Sequence, residues 1–471
     1  MDQQTINKVY QWIDKNQDQI IKNLMEIASI ESVSDETADV KPFGQGCINV
    51  LNAMLDKGNK EGFKTHNYDN YVGSITYDAS AKENIGIVAH LDVVPAGEGW
   101  HSDPYQPVIK DQFLFGRGVG DNKSAAIAGL FLQMAFRELN IPLKHNIELL
   151  LGTNEETGMS DFAYFTKMNY PYPKFSFVPD AGFPGMCGEF GRVRYELKSN
   201  RKLSSDFIDL NSGTVFNIIP NKATVVINKN SAIDYQSLPD DFDIEETSQG
   251  IQITAHGLSS HAAGPERGIN AIRVLTDALI KVKGIKDEDL EILSFINSVN
   301  QDPYGTFLGF AKTDEVSGQT VSSGTVLRFN EGYITLLNDC RFCVTDSMDR
   351  ILKCIEDTSA KYEFSVSTLE KSYPYHLDPN GKIVQTIQKV YQDYSGKENP
   401  IIIGKGGTYA GKIPNAVATG IVFNPDNIKP EGLEPGHGGA HQPDEFIPIP
   451  CYIEGIKLLA TMILEVDQIL D

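Results

Sequence analysis

Three short apolar runs in this chain stop at a histidine or an acid. Ile87–Ala89 runs into His90 and Asp92, Leu149–Leu151 into Glu155 and Glu156, and Phe175–Val178 into Asp180. Uninterrupted apolar runs of this length, bounded by turn residues, read as strands buried on both faces. Such strands need helices above and below them, so the pattern constrains the chain to a layered α/β fold. It also says where chemistry belongs. In open α/β sheets ligands bind beyond the strand ends, and here those ends carry metal-type ligands.

The remaining periodicities agree with that fold. Val9, Trp12, Ile13, Ile20, Leu24 and Ile27 recur at helical spacing, which predicts a helix over 5–29. Further helices are expected at 45–58, at 121–139 (opened by Asp-Asn), at 160–168, at 381–394 and at 451–469. Strands are expected at 71–77, 85–89, 146–151, 175–178 and 416–423. The texture changes near 188. From there to about 375 the runs alternate, as at 223–227 and 250–255, and an acidic patch lies at 239–246. The reading is a discontinuous α/β domain, 1–187 and 378–471, with a mostly parallel, doubly wound sheet. A separate α+β domain over 188–377 interrupts it.

Charge and chain ends remove several function classes. The 471 residues hold 41 Lys+Arg against 63 Asp+Glu, a net charge of -22. That argues against a nucleic-acid or anionic-membrane binder, which needs a basic surface. No apolar run approaches the ~20 residues of a membrane span. Met1–Lys8 shows no secretory core, and the six cysteines are few, so a cytoplasmic protein with reduced thiols is expected. Cys340–Cys343 forms a single C-x-x-C in a strand-like stretch, a weak signal for zinc or redox chemistry.

Two further places join the strand ends. Gly116–Lys123 resembles a phosphate loop in glycine content only. A G-x-G-x-x-G pattern needs glycine at 121, where Asp121 stands, and the Walker pattern needs glycine before Lys123, where Asn122 stands. An acid there repels phosphate and suits a divalent cation. The glycine-rich stretch 436–445 offers His437 and His441. Adjacent Glu155 and Glu156 would repel unless a metal holds one while the other keeps or takes a proton. That division into ligand and general base is what metal-assisted hydrolysis requires. Asp92 is expected to fix the tautomer of His90 from behind. A His, Asp, Glu, Asp, His set exceeds the three protein ligands of a catalytic zinc. It fits two ions about 3.5–4 Å apart that share a carboxylate.

At these residues the sequence resembles the M20 (aminoacylase-1/carboxypeptidase G2-like) metallopeptidases, and more narrowly the PepV-type bacterial dipeptidases. The resemblance covers essentially the whole chain, with its motifs in family order. It implies that His90 and Asp180 bind one metal, that Asp121 bridges, that Glu156 and His441 bind the other, and that Glu155 is the general base. His437 is the rival to His441, without an acid at the family's spacing. In the inserted segment, 257–271 resembles the family's lid motif, so His261 would stabilise the oxyanion. Asn217 resembles a second lid residue, Arg341 the arginine that holds the substrate carboxylate, and Gly407 and Thr408 part of a substrate-backbone loop. The insert, almost 190 residues long, is similar in length to two fused lid units, which implies an active monomer.

The function implied is a dipeptidase acting on short peptides with a free C-terminal carboxylate, through water activated between two divalent ions. Zinc is expected, with manganese or cobalt as alternatives. An N-acyl-amino-acid amidohydrolase would use the same centre. A non-catalytic binding protein on this fold is the rival of another class. A serine hydrolase is disfavoured, because the Ser259–His261 stretch lacks the closing glycine of a nucleophile elbow.

Overall fold

A computed structural model describes all 471 residues. The chain divides into two compact units. One comprises Met1–Gly188, His376–Ile402 and Gly407–Asp471, and the other Glu189–Tyr375 with Ile403–Gly406. The second unit is thus an insertion, to which four later residues return.

The first unit is built on a mixed sheet. Its strands lie in the order Lys64–Tyr68, Val72–Tyr77, Asn146–Gly152, Asn84–His90, Phe175–Val178, Ala416–Ala418 and Met186–Glu189. The four strands from Asn146–Gly152 to Ala416–Ala418 run parallel. Those outside them pair antiparallel. The central strands are the apolar runs of the sequence, and every residue of Asn146–Gly152 is buried. Even Glu148 is buried there, its carboxylate accepting from the Asn84 amide at 2.6 Å. The helix Lys123–Glu138 packs against this layer. A side chain at Gly129 would meet Leu149 at 2.7 Å and Ile87 at 3.3 Å, so the glycine permits the close approach. The helices Gln3–Ala28 and Ile449–Ile469 complete the layer.

Two local expectations fail. The helix expected from 121 begins at Lys123, and Asn122 precedes it without capping it. The strand expected over 416–423 stops at Ala418. Beyond it Gly420 lies against Phe183, and the Phe423 N–H donates to the Cys451 carbonyl, so the backbone leaves the ladder.

The second unit carries an eight-stranded antiparallel sheet, ordered Asp243–Glu246, Ile251–His256, Lys222–Ile227, Phe207–Ser212, Val321–Asn330, Tyr333–Phe342, Gly191–Ser199 and Phe364–Ser372. Alternation is clean on Gly191–Ser199. Val193, Tyr195 and Leu197 enter a core shared with the helices Ala271–Leu279, Asp287–Val299 and Met348–Lys361. On this strand one face packs on the helices and the other is only partly covered, so period two shows here and not in the parallel strands. All six cysteines are unpaired, and neither Cys340 nor Cys343 belongs to a ligand-type cluster. No helix is long and apolar enough to cross a membrane.

Candidate metal centre

Parallel pairing in register sends three chain segments out of the same end of the first unit's sheet. His90 lies opposite Gly152, and Ile87 opposite Phe177. His90, the Glu155–Glu156 turn and Asp180 therefore emerge together. Asp121, just before the Lys123 helix, and His441, on the 436–446 loop, complete the group. His90 Nε2 lies 3.0 Å from Asp121 Oδ1 and 3.8 Å from Asp180 Oδ1. His441 Nε2 lies 3.2 Å from Asp121 Oδ2 and 3.0 Å from Glu156 Oε2. The two oxygens of Asp121 thus face two different histidines. His437 is not in this group. It pairs with Asp444, as does His101.

The electrostatics are those of acids crowded in low dielectric. Burial, followed by the charge of Asp180, pushes the Glu155 carboxyl well above its ordinary range. Burial likewise lifts Asp180 to about 6. Burial disfavours charge on His90, but hydrogen bonds to Asp121 and Asp180 outweigh it and hold its pKa well above normal. His441 is raised to about 10 by Asp121 and Glu156. Asp121 is lowered despite its burial, because both imidazoles donate to it. The Nδ1–H of His90 donates to the Asp92 backbone carbonyl at 2.9 Å. That leaves Nε2 facing the carboxylates, where it donates when the ring is protonated and offers a lone pair to a cation when it is not. Asp121, Glu156 and Asp180 pair with the imidazoles and with no lysine or arginine. Three carboxylates and two imidazoles in this geometry fit divalent cations.

The supporting residues differ in part from expectation. The Asp92 carboxylate is fully buried and stands 3.5 Å from His90 Nδ1, where it adds to the interactions that raise the pKa of that ring. Its oxygens accept the backbone N–H of Glu155 at 3.0 Å and of Glu156 at 3.1 Å. It clamps the turn that carries both glutamates. Asn122, expected to open a helix, donates its amide to the Pro179 carbonyl at 2.7 Å and to Asp180 Oδ1 at 3.0 Å. Glu445 closes the histidine motif but has no role that its spacing announces. It is 1% exposed, pairs with Arg117 at 2.8 Å, and accepts the N–H groups of Gly118, Gly120 and Asp121. It thereby joins the Asp121 loop to the His441 loop. Asp161 accepts the N–H of Thr153 and Asn154 and the Tyr409 hydroxyl. The only local signal for these residues was proximity to a motif.

The second unit holds its own group. His261 lies on the strand Ser260–His261, paired with Ile218–Ile219, and the Ala262 N–H donates to the Asn217 carbonyl at 2.8 Å. The Ala263 N–H donates to His261 Nδ1 at 3.1 Å, so the ring proton sits on Nε2. Burial, followed by the charge of Arg341, lowers the His261 pKa and keeps the ring neutral. Arg341 is buried. Its Nε donates to Asp339 at 2.9 Å and its Nη1 to the Lys405 carbonyl. In the first unit, Thr408 accepts the Ala410 N–H at 3.1 Å, and a side chain at Gly407 would meet open space.

A family model described as peptidase family M20/M25/M40 matches residues 86–465. YtjP of Bacillus subtilis (strain 168) is 30% identical over 472 residues, covering 96% of this chain and 98% of that protein. Beta-Ala-Xaa dipeptidase of Lactobacillus delbrueckii subsp. lactis is 28% identical over 97% of each chain. Among solved structures, Dug1p from Saccharomyces cerevisiae superposes with a TM-score of 0.59 at 12% identity, over 99% of each chain. Human carnosine dipeptidase 1 does so with a TM-score of 0.55 at 17% identity, covering 98% of this chain and 100% of that one. The structures speak for the shared fold, and the family match spans every residue of the six-membered cluster. The chain belongs to peptidase family M20/M25/M40.

Proposed function

We propose that this protein is a metal-dependent dipeptidase, hydrolysing the peptide bond of short peptides that carry a free C-terminal carboxylate. The observation that carries the reading is Asp121, whose two oxygens face His90 and His441 separately. A carboxylate so divided suits a bridge between two cations. His90 and Asp180 would hold one ion, and Glu156 and His441 the other. Zinc is the first choice for this donor set, with manganese and cobalt next. When bound, two such ions supply Lewis acidity that polarises the scissile carbonyl and lowers the pKa of an attacking water.

The protein's own groups do the rest. Glu155 takes the water's proton and hands it to the leaving amine, a role suited to a carboxyl whose pKa lies above its ordinary range. Neutral His261 donates through its Nε2–H to the developing oxyanion. Arg341, held by Asp339, offers its remaining guanidinium nitrogen to the substrate carboxylate. Asn217, Gly407 and Thr408 line the substrate. The name of the Lactobacillus relative, a Beta-Ala-Xaa dipeptidase, supports the substrate class. The insert's length supports two fused lid-like subunits, and hence a monomer that carries its own His261. Six unpaired cysteines suit the cytoplasm.

The test is a substrate panel on metal-loaded protein, setting dipeptides against N-acetyl amino acids, with Glu155→Gln alongside. Dipeptides should turn over, N-acetyl amino acids poorly, and Glu155→Gln should keep its metal while losing at least about a hundredfold in rate. Preference for N-acetyl substrates would move the activity to amidohydrolysis. Near-normal turnover by Glu155→Gln would remove Glu155 as the base.

A further inference from the structure

Outside the six-membered cluster, one other group of metal-type side chains converges in the first unit: His101, His437 and Asp444. His101 Nδ1 lies 2.5 Å and His437 Nδ1 2.7 Å from the same oxygen, Oδ2 of Asp444. The other oxygen of Asp444 accepts the backbone N–H of His101 at 2.9 Å, so the carboxylate cannot turn away. Asp444 is 7% and His437 13% exposed, while His101 is open to solvent at 57%. The far nitrogens of both rings face a second acid. His101 Nε2 lies 3.4 Å and His437 Nε2 3.7 Å from the two oxygens of Glu434.

Two features make this more than a pair of surface ion pairs. Both rings aim Nδ1 at one oxygen, so each can donate an N–H to it, as the neutral Nδ1–H tautomer or as imidazolium, or the three atoms can face one cation through their lone pairs. A cation held by the three atoms takes both rings as neutral ligands through Nδ1 and places their remaining protons on Nε2, the nitrogens that face Glu434. The second feature is Glu434. Histidines that bind a metal through one nitrogen commonly donate the other N–H to a carboxylate, which fixes the ring and raises its basicity. Here one carboxylate faces the far nitrogens of both rings. The backbone is also shaped around the group. Gly99, at φ 92°, brings the chain against the His437 ring, where an added Cβ would lie 3.7 Å from it.

We propose that His101, His437 and Asp444 form a third divalent-metal site of the zinc class, distinct from the centre built on Asp121, with Glu434 buttressing both histidines. Two imidazoles and a carboxylate are borderline-hard donors, which suit zinc, and the exposed His101 side leaves room for water as a fourth ligand. An ion there joins the 99–101 segment to the loop that carries His441. The site would act as a clip on that loop. The proposal does not depend on the dipeptidase reading.

The experiment uses the full chain, stripped with chelator, reloaded with zinc and freed of excess, with bound zinc counted by mass spectrometry. Wild type should retain about one zinc per chain more than His101→Gln/His437→Gln. Asp121→Ala should lose zinc from the other centre and keep the additional ion. Equal zinc in wild type and the double variant overturns the proposal. A second arm needs only wild type: histidine acylation by diethyl pyrocarbonate, read residue by residue. Zinc should protect His101 and His437 together, and unchanged reactivity of His101 at saturating zinc overturns the site even if the double variant does not fold. Protection of His90 and His441 reports separately on the Asp121 centre, so failure of one site is not mistaken for failure of the other.

Discussion

Asp92→Asn distinguishes two ways in which a buried acid can serve a neighbouring site. The carboxylate accepts the N–H of Glu155 through one oxygen and of Glu156 through the other. Asparagine keeps one acceptor and turns an NH2 towards the second N–H, so one charge-assisted bond is lost and a buried donor is left unpaired. That costs about 1–3 kcal/mol. The cost falls on the turn that sets the Glu155 carboxyl. At 1.36 kcal/mol per tenfold, kcat/KM should drop by roughly 5- to 150-fold. The Nδ1–H of His90 donates to the Asp92 backbone carbonyl, which the substitution leaves in place. Zinc content should therefore stay close to that of wild type. The assay is kcat/KM on a dipeptide at saturating zinc, with bound metal counted on the same sample. If zinc is lost while turnover per bound zinc stays at the wild-type value, Asp92 works through His90 and the clamp is wrong.

Three further substitutions probe the frame of the site. Glu445→Gln strands the buried Arg117 guanidinium and should destabilise the protein by about 3–5 kcal/mol, measured by denaturant unfolding; a loss below about 1 kcal/mol would show that the pair is not held in low dielectric. Asn122→Ala frees Asp180 from its amide donor and should weaken metal retention by about 10- to 100-fold, read by competition with a chromogenic chelator; unchanged affinity would return Asn122 to a purely local role. Asp161 titrates near 6 in the folded state, raised from 3.8 chiefly by burial. The folded carboxyl keeps its proton where the unfolded one has lost it, so this contribution is complete below about pH 4 and is lost as pH rises through about 6. Unfolding midpoints of metal-free protein between those values should fall less steeply for Asp161→Asn than for wild type, and parallel slopes would contradict the assignment.

Much of the first unit was legible because its signals are local. A strand buried on both faces must be apolar throughout, so Leu149–Leu151 and Phe175–Val178 identified themselves, and their ends marked His90, Glu155, Glu156 and Asp180. Where a contact from elsewhere in the chain overrides local preference, periodicity misplaces the element's end. The strand at Ala416 ends early because Phe183 and Cys451 draw the backbone away. The parallel strands form the central block of a mixed sheet, whose antiparallel margin begins where Val72–Tyr77 pairs with Asn146–Gly152.

The sequence by itself determined which residue types stand at the strand ends, and so the kind of chemistry the chain can support. Tertiary structure alone decided which way each side chain is spent. Spacing cannot tell an aspartate that serves only a histidine from one that also accepts two backbone N–H groups, and Asp92 does both. It cannot tell an asparagine that caps a helix from one that reaches 58 residues along the chain to Asp180. The motif's spacing pointed to His441 rather than His437, but only the fold shows that His437 meets Asp444 together with His101. Those outcomes depend on how separate loops approach one another once the sheet has formed, and a hydrogen bond resolves differences of a few tenths of an ångström that no periodicity carries.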